Sequence, residues 1–208
     1  MKITALKRLK RRRDRVNVYL DGEFQISISA EVAMGSHLRV GRELSPDDLR
    51  ALESDDLAWR AREAALRLLS YRPRTESELR RRLRTKDFPS EIIERCTRTL
   101  VASGLVDDGG FARSYVRDRL RARPSGRARL LAELRRKGVT EAEAESAVDE
   151  ALAEISETEL DLARRATGKF ARRRAEDPAR RRRRLYGFLS RRGFPSDVIT
   201  RVIEETDG

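Results

Sequence analysis

Three clusters of cations in this chain occupy the same setting. Arg81, Arg82, Arg84 and Lys86 form the first, Arg135, Arg136 and Lys137 the second, and Arg191 and Arg192 the third. Each sits just before the last residue of an apolar triplet: Leu79, Leu83 and Phe88, then Leu130, Leu134 and Val139, then Leu185, Leu189 and Phe194. A further run, Arg180, Arg181, Arg182, Arg183 and Arg184, lies close to Arg172, Arg173 and Arg174. Five consecutive arginines wrap about one and a half turns of helix, so no single buried face can hold them. The chemistry open to such groups is the grip of phosphate or carboxylate, which the planar guanidinium takes as a fork. The expected polyanion-facing set is therefore Arg81, Arg82, Lys86, Arg135, Arg136, Lys137 and Arg180 through Arg184. Charge alone selects it. Two plainer readings stay open: cations at a helix C-terminus complement its negative end, and an arginine run can be a solvated segment.

Catalytic chemistry has few candidates. Asp107-Asp108 could begin a metal-dependent nuclease site, but no companion carboxylates are evident, and an acidic helix cap explains the pair. His37 is the only histidine and has no acid, Ser or Cys constellation around it. No Gly-x-x-x-x-Gly-Lys or Gly-x-Gly-x-x-Gly loop is present to cradle phosphates. The chain is therefore expected to be no enzyme, with no cofactor and no metal. Cys96 is the one cysteine, which rules out an internal disulfide, and its spacing from Ile92, Ile93 and Leu100 points to a buried packing role. Aromatic residues make up 5% of the chain, so base stacking is not expected to dominate. Tyr115, Tyr186 and Phe188 read as core residues or partner anchors.

The elements that must position these cations follow from composition and pattern. The chain has 208 residues, 38% hydrophobic and 39% charged, which predicts a thin, divided core. Net charge is +12, and 41 of the 47 cations are Arg. Residues 164–192 carry 13 basic and 2 acidic side chains, a surplus of 11. Such concentrated charge draws in polyanions. No apolar run is long enough to cross a membrane, and no apolar segment follows the basic N-terminus, so a cytoplasmic protein is expected.

Residues 1–29 read as β. Val16, Val18 and Leu20 alternate with polar neighbours, as do Phe24, Ile26 and Ile28, and Asp21-Gly22 between them signals a hairpin. Lys7 to Arg15 reads as an exposed basic loop. A short helix follows from Ser29 to about Ser36, then an extended piece from Leu38 to Leu44, then a helix over about 46–53 capped by Ser45. From Asp56 the pattern is helical, and the triplets recur about every 50 residues, which predicts an array of small helical modules. Thr75 to Glu78 and Thr140 to Glu143 read as capping boxes, and Ser156 to Glu159 as a third. The expected class is mainly α: an N-terminal three-stranded β element over 1–57, then three-helix repeats over 58–106, 107–154 and 155–208, in an elongated curved array. Hinges are expected near Gly109-Gly110 and over 154–157.

Three stretches resemble the bacterial RecX family: Gly104-Leu105-Val106-Asp107-Asp108-x-x-Phe111-Ala112, Thr75-x-x-Glu78-Leu79-x-x-x-Leu83, and Gly126 followed by Glu133-Leu134-x-x-Lys137-Gly138-Val139. The hairpin over 16–28 is similar to that family's N-terminal extension. Asp87 stands where the other units have Gly138 and Gly193, so the first-unit turn is expected to differ. The resemblance implies three-helix repeats without enzymatic chemistry. It also implies a partner, the RecA recombinase on DNA, whose ATP hydrolysis and strand exchange such proteins damp, and so a role in recombination, DNA repair and the SOS response. Weak, non-specific binding to single- and double-stranded DNA, and a monomeric state, are the accompanying expectations. The alternative is a helix-turn-helix-like transcription regulator. Against it, base readout uses Arg, Asn or Gln, and beside its arginines the chain offers only Asn17 and Gln25, which favours backbone and protein contacts.

Overall fold

The computed structural model of the chain describes residues 1–9, 14–168 and 177–207. Three strands come first: β1 (Ile3–Arg8), β2 (Arg15–Leu20) and β3 (Glu23–Ser29), antiparallel in the order β1-β2-β3. Among the described residues ten helices follow. They are α1 (Ala30–Gly35), α2 (Pro46–Tyr71), α3 (Glu76–Arg84), α4 (Ser90–Ala102), α5 (Asp108–Ala122), α6 (Arg127–Lys137), α7 (Glu141–Ile155), α8 (Glu159–Thr167), α9 (Pro178–Arg191) and α10 (Ser196–Asp207). After the C-terminal part of α2 they fall in threes: α2-α3-α4, α5-α6-α7 and α8-α9-α10. Within each three-helix unit the first helix packs on the last. By contacts the chain forms two compact units, Met1–Pro73 with Leu79–Leu105, and Arg74–Glu78 with Val106–Gly208.

In the first unit, Asp21 and Gly22 take positive φ (48° and 94°), the conformation a two-residue hairpin turn demands. The alternating Val16, Val18 and Leu20 are buried together with Ile3, Ile28, Leu44 and Leu52. The piece expected to be extended over 38–44 is irregular, with a turn at residues 40–41, one bridge between Lys2 and Glu43, and backbone bonds from Gly41 and Leu44 to the carbonyls of Ile3 and Met1. Ser45 caps α2 in a reciprocal box with Asp48. The two helices expected either side of Ser54 are a single helix of 26 residues. Nothing in Ser54-Asp55-Asp56 breaks a helix, and Asp56 is buried for a tertiary reason. Its Oδ1 accepts from Arg15 at 2.6 Å and from the Ser29 amide at 2.7 Å. Part of the basic loop after β1, residues 10–13, lies outside the described residues.

The second unit repeats one junction twice. The hydroxyl of Thr75 donates to the Lys137 carbonyl at 2.5 Å, and the Glu76 amide donates to Asp108 Oδ1 at 2.9 Å. At the equivalent places one repeat later, the Gly126 amide donates to the Arg192 carbonyl at 2.9 Å and the Arg127 amide to Glu159 Oε1 at 2.9 Å. The start of one middle helix thus seats on the turn that ends the next. The turns are left-handed at Gly138 (φ 85°) and Gly193 (φ 79°). The contact is too close for a side chain: a Cβ on Gly138 would lie 2.2 Å from Ser77 Cβ, and one on Gly193 2.5 Å from the Arg129 nitrogen. Asp87 does not change the turn, as had been expected. It adopts the same left-handed conformation (φ 61°), which Asp tolerates.

One further expectation is corrected. The cap of α8 is Thr158, paired with Asp161, while Ser156 closes α7 in a left-handed conformation. Gly109 and Gly110, near which a hinge is expected, are helical. They lie in the first turn of α5, where a Cβ on Gly110 would lie 2.3 Å from Asp107 Oδ2, the carboxylate that caps the helix.

Candidate nucleic-acid and partner interface

The cations selected from the sequence meet different fates. Arg81 and Arg82 project from the last turn of α3 and Lys86 from the turn that follows; all three are exposed. Among the described residues no ion pair or hydrogen bond engages their side chains. In the second repeat, Arg135 pairs with Glu141. Arg136 is exposed, and among the described residues its Nε reaches only the Ala132 carbonyl, at 3.3 Å. Lys137 turns inward. Its Nζ lies 3.4 Å from Glu78 Oε1 and sits over the rings of Phe111 and Tyr115 at 5.3 and 4.8 Å. Ammonium over an aromatic face is a favourable contact, so Lys137 holds the junction together.

The arginine run divides by helical position. Arg180, Arg182 and Arg183 are exposed, whereas Arg181 and Arg184 are half-buried. Arg181 reaches across to the Thr206 carbonyl at 3.1 Å. Asp177 caps α9 by accepting from the Arg180 amide at 2.9 Å, and its negative charge suits the helix start. Arg172, Arg173 and Arg174 lie outside the described residues. Arg192 is drawn inward. It stacks over the Phe188 ring at 4.6 Å and donates to the Pro124 carbonyl at 2.8 Å. Burial, and then the neighbouring Arg129, Arg123 and Arg119, lower its pKa from the ordinary value.

The sequence reading missed the most heavily engaged acid. Glu133 is buried and accepts from Arg119, Arg129 and the Tyr115 hydroxyl, the last at 2.9 Å. Burial alone would raise its pKa, but those hydrogen bonds outweigh it and hold the carboxyl at about 2. Its signal in the sequence was an acid among α6 cations, one turn after Arg129. Asp107 and Asp108 are accounted for as a cap and a junction acceptor. Among the described residues no three of His, Cys, Asp or Glu gather as a metal site. Cys96 is buried, which pushes its thiol pKa up. No described helix is long and apolar enough to cross a membrane.

Comparison with known proteins places the chain. Residues 1–45 match the Regulatory protein RecX N-terminal domain, and residues 61–97, 107–148 and 157–203 match the first, second and third three-helix domains of RecX. The regulatory protein RecX of Clostridium beijerinckii is 30% identical, over 98% of this chain and 95% of its own length. The chain belongs to the RecX family. The RecX of Limosilactobacillus reuteri is 31% identical over 94% of this chain and 74% of its own. A crystal structure of a regulatory protein RecX superposes with a TM-score of 0.79 at 30% identity, covering 98% of both chains. A RecX crystal structure from Lactobacillus salivarius gives 0.63 at 26% identity, over 74% of this chain and 98% of that one. Three-helix repeats behind a small N-terminal sheet are thus a RecX architecture.

Proposed function

We propose that this RecX-family chain binds the RecA recombinase filament on DNA and damps its ATP hydrolysis and strand exchange. It touches DNA through phosphates and reads no sequence. The observation that carries this reading is the split among its cations. Lys137 and Arg192 are spent on internal contacts, while Arg81, Arg82 and Lys86 stand exposed with no acid against them among the described residues. Outward, uncompensated charge on a family of regulatory proteins suits a polyanionic target. Several weak contacts carried by one chain add through effective concentration, so tight binding to a filament needs no deep pocket.

The test is a titration of RecA ATPase on single-stranded DNA with this protein. The expected outcome is inhibition at amounts well below one protein per recombinase subunit. An Arg81→Ala, Arg82→Ala, Arg136→Ala variant should fold normally and inhibit at least several-fold less well. ATP hydrolysis that stays unchanged up to equimolar protein would refute the reading.

A further inference from the structure

The first three-helix unit carries an open groove of about 480 Å³ beside α2, lined by Trp59, Arg60, Arg67, Tyr71, Lys86 and Phe88, with Glu63 as the one acid. The positions on α2 share one face, because 60, 64, 67, 68 and 71 step by three and four. Lys86 and Phe88 come from the turn between α3 and α4. Three of the chain's 11 aromatic residues therefore meet three cations in one place. Tyr71 is 85% exposed. The Trp59 indole is fixed by its hydrogen bond to Glu31 Oε2 at 2.8 Å. Among the described residues no hydrogen bond or ion pair occupies the side chains of Arg60, Arg67 or Lys86.

The second repeat shows what closes this place elsewhere in the chain. There Lys137 is the counterpart of Lys86, Phe111 and Tyr115 carry the rings, and the start of α3 fills the site with Glu78 and Thr75. That helix start can seat because residue 138 is glycine, with Ser77 2.2 Å from where a Cβ would be. In the first repeat the same turn position is Asp87, in the same left-handed conformation, whose Cβ would meet a helix start seated in that way. The close seating of a helix start seen at Gly138 therefore has no counterpart here. What remains accessible is a slot with aromatic walls and a cationic rim, suited to a thin, flexible polyanion.

We propose that this groove is a single-stranded nucleic-acid site, in which bases stack on Tyr71 and Trp59 while Arg60, Arg67 and Lys86 hold the flanking phosphates. Aromatic stacking beside a cationic groove is the usual means of holding single strands without sequence preference. The proposal rests on the DNA-contacting part of the function above and gives that contact an address. It gives stacking a local role in a chain whose aromatics are too few for it to dominate throughout.

Trp59 is the chain's single tryptophan, so its emission reports the groove directly. The full chain is titrated with oligothymidylate, with an abasic oligomer of equal length and with polyglutamate, in the absence of recombinase. Oligothymidylate should quench Trp59 to saturation, and the abasic oligomer should bind more weakly without quenching. Tyr71→Ala should weaken oligothymidylate binding by about tenfold. The variant Arg60→Ala, Arg67→Ala, Lys86→Ala should lower the slope of log affinity against log salt by about 2, with unchanged circular dichroism. Equal binding of the abasic oligomer, or a silent Tyr71→Ala, would overturn the proposal. Polyglutamate quenching as tightly as oligothymidylate would overturn it in favour of an acidic protein segment. Because recombinase is absent, failure here leaves the ATPase reading to its own assay.

Discussion

Glu133 is where charge in this chain is committed to structure. Its buried carboxylate takes bonds from Arg119, Arg129 and Tyr115, and those donors hold it ionised down to about pH 2 against an ordinary value of 4.5. A carboxyl with a lowered folded-state pKa contributes its full stabilisation above the unfolded-state value. That contribution drains away as pH falls from about 4.5 toward 2. A shift of this size corresponds to roughly 3 kcal/mol at neutral pH. Glu133→Gln should therefore unfold in urea with about 2–3 kcal/mol less stability at pH 7, and with less than half that difference near pH 3. A difference that stays constant over this range would show that shape, and not ionisation, is what Glu133 supplies. The same scale explains why charge counting overreached at Lys137. The residue stands in a cationic run, yet Glu78 and two aromatic rings surround its ammonium. Those partners come from other helices, and Glu78 is 59 residues away.

At the scale of elements, the apolar triplets, the hairpin at Asp21-Gly22 and most helix ends were readable, because each is a local pattern of period, cap and turn. Junctions between repeats were not, because they join residues such as Thr75 and Lys137, 62 apart, through a hydroxyl and a distant carbonyl that no local pattern displays. Gly126 illustrates the difference. Its φ is an ordinary −72°, so nothing local asks for glycine. A Cβ there would nonetheless lie 2.2 Å from the Gly193 carbonyl oxygen. Gly22 is the opposite case: φ is 94°, and nothing lies within 4 Å of an added Cβ. Gly22→Ala should cost about 1 kcal/mol, the strain of a left-handed alanine. Gly126→Ala should cost more, about 2–4 kcal/mol, since backbone on both sides of the junction must part. Thermal melts of the two variants decide it, and equal losses would mean that the junction yields easily. Similarly, Asp56 is buried within α2 because Arg15 and the Ser29 amide satisfy its carboxylate, pairings 41 and 27 residues long that no window of sequence displays.

For the molecule as a whole, the question is how a net charge of +12 reaches a partner when so many cations are internally engaged. The surplus of 11 within residues 164–192 is the densest in the chain, but its members are not equivalent. Arg192 is stacked on Phe188, and Arg181 is tied to the Thr206 carbonyl. Arg182 and Arg183 face outward from α9. If this segment meets duplex phosphates, each outward arginine in contact releases counterions, and log affinity falls with log salt by about 0.9 per phosphate neutralised. Arg182→Ala with Arg183→Ala should then flatten that slope by up to about 2. Arg181→Ala alone should flatten it little and lower the melting temperature, because it gives up a helix contact. Duplex binding measured across a salt series for the three proteins separates the roles. A slope that survives the loss of Arg182 and Arg183 would move the duplex contact away from α9 and toward the exposed cations of the first two repeats.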